Sequence, residues 1–278
     1  MRVSPAAWAA ALVLLLGSPS AGQELPAALR APFEAGVQAL KDGRLDEAEA
    51  AFERVLREGG RTAFVHNNLG IVWQRREGHE KAAVQFREAI RLDASYVAPR
   101  ILLGASLLAL ERPREAVTAL QAAVRLAPRE PLARKQLARA HENAGDLLAA
   151  VEQYRELREL GPQDPENAYQ LGRAYLALSE WSLKQIRELD PRSARLHQAL
   201  GHNYRLQGKP EMAEQAFRRA AQADPKLPEI HLALAQIYIE QKRWDDARAA
   251  IERELSLVPE SAGARVLLQR VEAAENAR

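Results

Sequence analysis

Small residues recur in this chain at a fixed interval. Gly36, Gly70, Gly104, Ala138 and Gly172 follow one another in steps of 34, and after one short step of 29 to Gly201 the interval of 34 returns at Ala235. A second ladder, Ala48, Ala82, Ala116, Ala150, Ala213 and Ala247, carries a large apolar residue four positions on: Phe52, Phe86, Leu120, Tyr154, Phe217 and Ile251. Prolines close the units at Pro128, Pro162, Pro191, Pro225 and Pro259. A period of this size accommodates one supersecondary unit, which cannot bury its own apolar face, so neighbouring units must stack.

Each unit reads as two helices. Apolar residues of the first recur at helical spacing, as in Leu103, Leu107 and Leu110. The Gly or Ala of the first helix lets the second approach closely, and the Ala of the second meets it there. Turn markers stand between them at Gly43, Gly78, Pro113, Gly145 and Gly208, with Lys242 at that place in the last unit. The composition agrees: aromatic residues are only 5% and Ala, Leu, Arg and Glu dominate, which suits helices and leaves little of the β-branched and aromatic stock of sheets.

The pattern resembles the tetratricopeptide repeat, whose unit carries W-x2-L-G-x2-Y, then A-x3-F, then P. The fullest match is LHQALGHNYRLQGKPEMAEQAFRRAAQADP, with Leu200, Gly201, Tyr204, Ala213, Phe217 and Pro225 in place. The resemblance implies an all-α fold, a right-handed superhelical solenoid of antiparallel helix pairs. Units begin near residues 29, 63, 97, 131, 165, 194 and 228. The expected organisation is units one to four over 29–164, a shortened unit over 165–193, units six and seven over 194–261, and a capping helix over 262–278. The family's Trp position is occupied by Pro32, His66, Arg100, Arg134, Ala168, His197 and His231, replacing part of the usual aromatic packing by side chains with polar tips.

The shortened unit, LGRAYLALSEWSLKQIRELDP, spans 19 residues from Gly172 to Pro191 where Gly201 to Pro225 spans 24. Holding both ends in register puts Ser179 in the small position and Leu183 in the large one, and removes the turn. Either the chain turns tightly near Ser179, or the two helices fuse. Helical periodicity runs through Ala168, Leu171, Tyr175, Leu178, Ser182, Ile186 and Leu189, and no Gly or Pro occurs between Arg173 and Asp190, which favours one long helix.

The N-terminus adds a location. Arg2 precedes an unbroken apolar run from Ala6 to Leu16, shorter than a membrane span, and Ser20, Ala21 and Gly22 form a plausible cleavage site. A signal peptide over residues 1–22 is expected, giving an exported, periplasmic or secreted protein; an uncleaved anchor is the alternative. The chain has no cysteine, so stability comes from packing alone. A net charge of +2 argues against general nucleic-acid binding.

No constellation for catalysis stands out, and the chain is read as not an enzyme, without cofactor or metal. His66, His197 and His231 fall in the Trp position and His141 in the Tyr position, so the repeat accounts for them. HEKAA and HENAG open like zinc-protease helices, but Ala83 and Gly145 stand where the second His is needed.

Family resemblance implies a partner segment bound along the first helices, at the second, fifth, ninth, twelfth and thirteenth positions of each unit. Near the N-terminal end these include Phe33, Val37, Leu40, Phe64, Asn67, Ile71, Ile101 and Leu108; further on they become Lys135, Arg139, Asn143, Tyr169 and Arg173, then Arg195, His202 and Arg205. Such a groove is apolar with an asparagine at one end and basic beyond it, favouring a protein or peptide segment with acidic side chains or a terminal carboxylate. The carboxylate clamp of chaperone-tail binders is incomplete, because Gln170 and Ala199 follow Lys135 and Arg139 at the required places. The leading expectation is an exported, non-catalytic adaptor. A self-assembling homo-oligomeric module is the alternative, and a carbohydrate-processing accessory protein is supported only by Tyr169.

Overall fold

The computed structural model describes residues 24–276, and the expected signal segment lies outside them. Among the described residues the fold is all-helical, with no strand. Two compact units divide the chain between Leu178 and Ser179. The first contains four helix pairs: α1 (Ala27–Lys41) with α2 (Leu45–Arg57), α3 (Ala63–Arg75) with α4 (His79–Leu92), α5 (Val97–Ala109) with α6 (Pro113–Leu126), and α7 (Pro131–Ala144) with α8 (Leu147–Leu160). The second contains α10 (Ala194–Leu206) with α11 (Pro210–Ala223), α12 (Ile230–Glu240) with α13 (Trp244–Leu257), and α14 (Ala262–Asn276). Between α8 and α10 lies α9 (Pro165–Leu189), continuous over 25 residues. No described helix is long and apolar enough to cross a membrane.

The Gly-to-large-residue ladder is the packing rule of each pair. A Cβ built on Gly70 would sit 2.6 Å from the ring of Phe86, and one on Gly104 would sit 2.3 Å from Leu120 Cγ. Phe52, Phe86, Leu120 and Phe217 are wholly buried as a result. In the first unit they belong to a core with Leu40, Ile71 and Leu107, while Tyr154 packs with Ala138, Val151, Leu157 and Ala174. In the second unit Phe217, Ile230, Ile237 and Ile251 play the same part.

The turns within the pairs repeat one another bond for bond. In each of six, a helix ends on a left-handed residue: Gly43, Glu77, Glu111, Gly145, Gly208 or Lys242. The residue after it donates back to a carbonyl five positions earlier, as in Arg44 to Ala39, Gly78 to Trp73, Arg112 to Leu107 and Arg243 to Tyr238, which is the Schellman arrangement. The sequence markers Gly78 and Pro113 therefore start the next helix, and Glu77 and Glu111 carry the strained backbone before them.

Lys242 holds φ at +59°, a conformation in which its Cβ crowds the following carbonyl. Lys242→Gly is expected to raise the unfolding free energy by about 1 kcal/mol, the relieved strain outweighing the extra unfolded-state entropy of glycine. Urea denaturation measures it; an unchanged or lowered midpoint would refute the assignment of strain to that turn.

The two arginines in the Trp position tie their units to the preceding turn, and His66 ties the two helices of its own pair together. Arg100 Nη2 donates to the carbonyl of Ala94 and Arg134 Nε to that of Pro128, both at 2.8 Å. His66 Nδ1 donates to Gln85 Oε1 at 2.8 Å. Burial lowers the pKa of His66 and of His231, favouring the neutral ring at both.

Candidate functional site

The groove positions lie on the first helix of each pair, and the first unit contains two kinds of surface along them. On α1, α3 and α5 the side chains are absorbed by the core. Phe64, Asn67, Ile71 and Ile101 are 3% exposed or less. Phe33 is half-buried, with its ring edge-on to Phe64 at 5.1 Å and 5.7 Å from that of Phe52. Their place in the core follows from stacking, because adjacent first helices approach closely enough to enclose whatever stands between them. Polar groups on the same helices are used for that approach. Gln74 Nε2 donates to the Leu102 carbonyl and to Ser106 Oγ, at 3.3 and 3.0 Å, and Arg75 Nη1 donates to the Leu40 carbonyl at 2.7 Å. The apolar end of the expected groove is thus a helix–helix seam.

From α7 onward the side chains are open. Lys135 and Arg139 are exposed one turn apart on α7, and among the described residues no carboxylate lies within ion-pair distance of either. On α9, Tyr169 is 63% exposed and Arg173 follows one turn later. Arg173 is held in place: its Nη2 reaches both carboxylate oxygens of Glu142 on α7, at 2.8 and 3.1 Å. Glu142 also accepts from the Tyr154 hydroxyl at 3.1 Å. Burial, reinforced by that carboxylate, pushes the Tyr154 phenol up to about 12, so it remains a hydrogen-bond donor throughout the physiological range. Burial acts to lower the Arg173 pKa, but Glu142 and Tyr154 outweigh it and the net shift is upward.

Glu142 is the residue that the sequence reading left out. It stands at the twelfth position of its unit, one of the groove positions, and that placement was the available signal. Its effect is to cancel one of the three cations and to fix Arg173 beside Tyr169. Two uncompensated positive charges, an ordered guanidinium and an exposed phenol ring remain. Such a set can bind a carboxylate and lay an aromatic or aliphatic stem against it.

In the second unit His202 is exposed on α10, its ring edge-on to Phe217 at 5.0 Å. Arg195 donates to Gln198 at 3.0 Å, and Arg205 is engaged by Gln236 and lies 3.6 Å from Glu240. The basic residues there are mostly spent on neighbouring helices. Among the described residues no group of three His, Cys, Asp or Glu side chains is placed to hold a metal ion.

Comparison with known proteins places these observations in a family. One family model of the tetratricopeptide repeat matches residues 21–97 and 101–165, and another of the same description matches 204–271. No curated protein matches the chain. Among solved structures, a tetratricopeptide repeat protein from Parabacteroides merdae is similar with a TM-score of 0.50 and 13% identity, over 89% of this chain and 100% of that one. YrrB, described as a TPR protein with an unusual peptide-binding site, gives 0.45 and 19% over 80% and 94% of the two chains. A chain of the Cut9–Hcn1 heterotetramer of APC/C gives 0.43 and 20% over 86% of this chain, which spans 42% of its length. The ladders, the six identical turns and the family models agree: this chain belongs to the tetratricopeptide repeat family.

Proposed function

We propose that the chain is a non-catalytic adaptor that binds a carboxylate-bearing segment of another protein across α7 and the start of α9, in an exported setting. The observation that carries the binding reading is the pair Lys135 and Arg139, exposed on a first helix and without carboxylate partners among the described residues, next to an Arg173 already ordered by Glu142. A lone cation on a helix surface commonly finds an intrahelical partner. Two left open beside an exposed aromatic ring offer charge and contact area to an incoming acidic peptide. Charge of this kind steers encounter and selects partners more than it supplies raw affinity. Export rests on the sequence alone: Arg2, the apolar run from Ala6 to Leu16, and the small residues at 20–22.

Titration with a fluorescein-labelled octapeptide rich in Asp and Glu tests the binding reading. The double variant Lys135→Glu, Arg139→Glu is expected to weaken binding about 10- to 100-fold, with the wild-type affinity falling as salt rises. Equal affinity in the variant, or a neutral peptide bound as well as the acidic one, sinks the basic surface as the site. Cell fractionation with N-terminal sequencing tests the setting. A mature chain beginning at Gln23 in the exported fraction is the expected result; a chain retaining Met1 in the cytosol removes export from the account.

A further inference from the structure

In the pairs that carry glycine at the helix crossing, a side chain 16 residues downstream fills the notch. A Cβ on Gly36, Gly70, Gly104 or Gly201 would lie 2.8, 2.6, 2.3 or 2.7 Å from Phe52, Phe86, Leu120 or Phe217. On Gly172 of α9 the same position has nothing within 4 Å. The missing filler can be identified. In the other units it stands eight residues before the closing proline, as Leu120 does before Pro128 and Phe217 before Pro225; before Pro191 that residue is Leu183. With the turn deleted, Gly172 and Leu183 lie on one uninterrupted helix. They are 11 residues apart, which is about 16 Å along the axis and about 20° in rotation. Notch and filler share a face and can never meet within one molecule.

Two copies remove the obstacle. If α9 lies antiparallel against α9 of a second copy, Leu183 of each enters the Gly172 notch of the other. The two-fold axis then passes midway between these residues, at 177–178, and the midpoint of α9 itself is residue 177, so the helices overlap along their whole length. The face that would be covered contains Ala168, Tyr175, Leu176 and Ser179, all exposed, with Leu183 and Ile186 half-buried; Tyr175 and Leu176 are 48% and 68% exposed.

A row of charges beside that face has the matching symmetry. Glu166, Arg173, Glu180 and Arg187 are exposed, seven residues apart, and alternate in sign. Seven residues are about 10 Å, too far for ion pairs within a helix, which use spacings of three and four. In the antiparallel register set by Gly172 and Leu183, Glu166 comes within two residues, about 3 Å along the axis, of the level of Arg187 of the second copy, and Arg173 equally near that of its Glu180, offsets that these long side chains can span. A parallel two-fold pairing would put the two rows on opposite sides of the seam, where they could not meet. Arg173 already meets Glu142 in its own chain and would share its guanidinium between the two carboxylates.

We propose that two copies of this chain associate through α9 in an antiparallel, two-fold dimer that restores between molecules the helix crossing lost within one. The exchange is that of a domain swap, in which an internal contact is remade between identical chains. A partner helix from a different protein would also cover the apolar face, but it would not need to repeat the alternating charges about the centre of α9. The proposal goes beyond the binding surface on α7, and its test needs no ligand.

The full chain is expected to sediment and scatter light as a dimer at micromolar concentration. Because the sequence contains no cysteine, Leu176→Cys provides a specific reporter. Its thiols would lie beside the two-fold axis and should form a covalent dimer on mild oxidation, whereas Leu206→Cys, at a 91% exposed site on α10, should not. Gly172→Leu fills the notch with a better helix former whose Cβ would meet nothing within 4 Å among the described residues, so it should fold with unchanged helical signal and associate at least 10-fold more weakly. Glu166→Arg with Glu180→Arg, which makes the whole row positive at exposed sites, should do the same. The proposal is overturned by a wild-type chain that stays monomeric to about 100 µM, by a dimer that survives Gly172→Leu and the charge variant, or by the absence of the Leu176→Cys cross-link.

Discussion

Phe86→Ala is expected to lower the unfolding free energy of the first unit by about 3–5 kcal/mol. The side chain is wholly buried, and its ring occupies the notch over Gly70, where a Cβ would lie 2.6 Å from it. Removing the ring leaves a cavity bounded on one side by a glycine, which has no side chain to swing inward, and by helix backbone, which is rigid. The site can relax only if α3 and α4 move together, and both are held by the pairs before and after them. The full cost of transfer and cavity should therefore appear. Stacked repeats share their stability with neighbours, so the loss should broaden or split the denaturation curve as the weakened pair uncouples the array. Leu126→Ala supplies the control: that side chain is 45% exposed, and its loss should change stability by well under 1 kcal/mol. A Phe86→Ala chain within 1 kcal/mol of wild type would show that the notch contacts do not hold the pairs together.

The fold is legible in the sequence because the contact that builds each pair is written in residue types. A small residue and a large one separated by 16 positions specify a crossing, and repetition at 34 specifies stacking. The turns are legible less directly. The Schellman geometry places its left-handed residue by counting from the end of the first helix, whatever residue occupies that place. Glu77, Glu111 and Lys242 therefore take the conformation that glycine would take more easily, and Gly78, the nearest sequence marker, starts the following helix. Site positions were harder to read for a different reason. Helical periodicity says which side of α3 carries Phe64, Asn67 and Ile71, but exposure depends on the distance to the neighbouring helix, which no single unit encodes. Those side chains are enclosed, while Lys135 and Arg139, at the same repeat positions in a later unit, are open. The ion pair between Arg173 and Glu142 joins residues 31 apart and exists only because one unit stacks on the next.

Opposite outcomes are expected for the same substitution at two glycines of the ladder. Gly104→Ala should destabilise the chain by about 1–3 kcal/mol, because the new methyl would lie 2.3 Å from Cγ of Leu120 and cannot be relieved by moving only the tip of that side chain. Gly172→Ala should stabilise the dilute chain by up to about 1 kcal/mol, since the methyl meets nothing within 4 Å and replaces the least helix-favouring ordinary residue inside α9. Urea denaturation of both variants at low protein concentration measures the contrast. Alanine is not excluded from the ladder as such: Ala138 and Ala235 occupy it, with Tyr154 and Ile251 16 residues on, and all four are buried. The cost at Gly104 is therefore that of a particular distance between two helices, and the gain at Gly172 follows from the absence of the second helix. Equal effects at the two sites would mean that helix propensity alone decides them. Opposite signs would mean that a glycine in α9 costs stability without serving a contact inside its own molecule, which is what a notch reserved for a second copy requires.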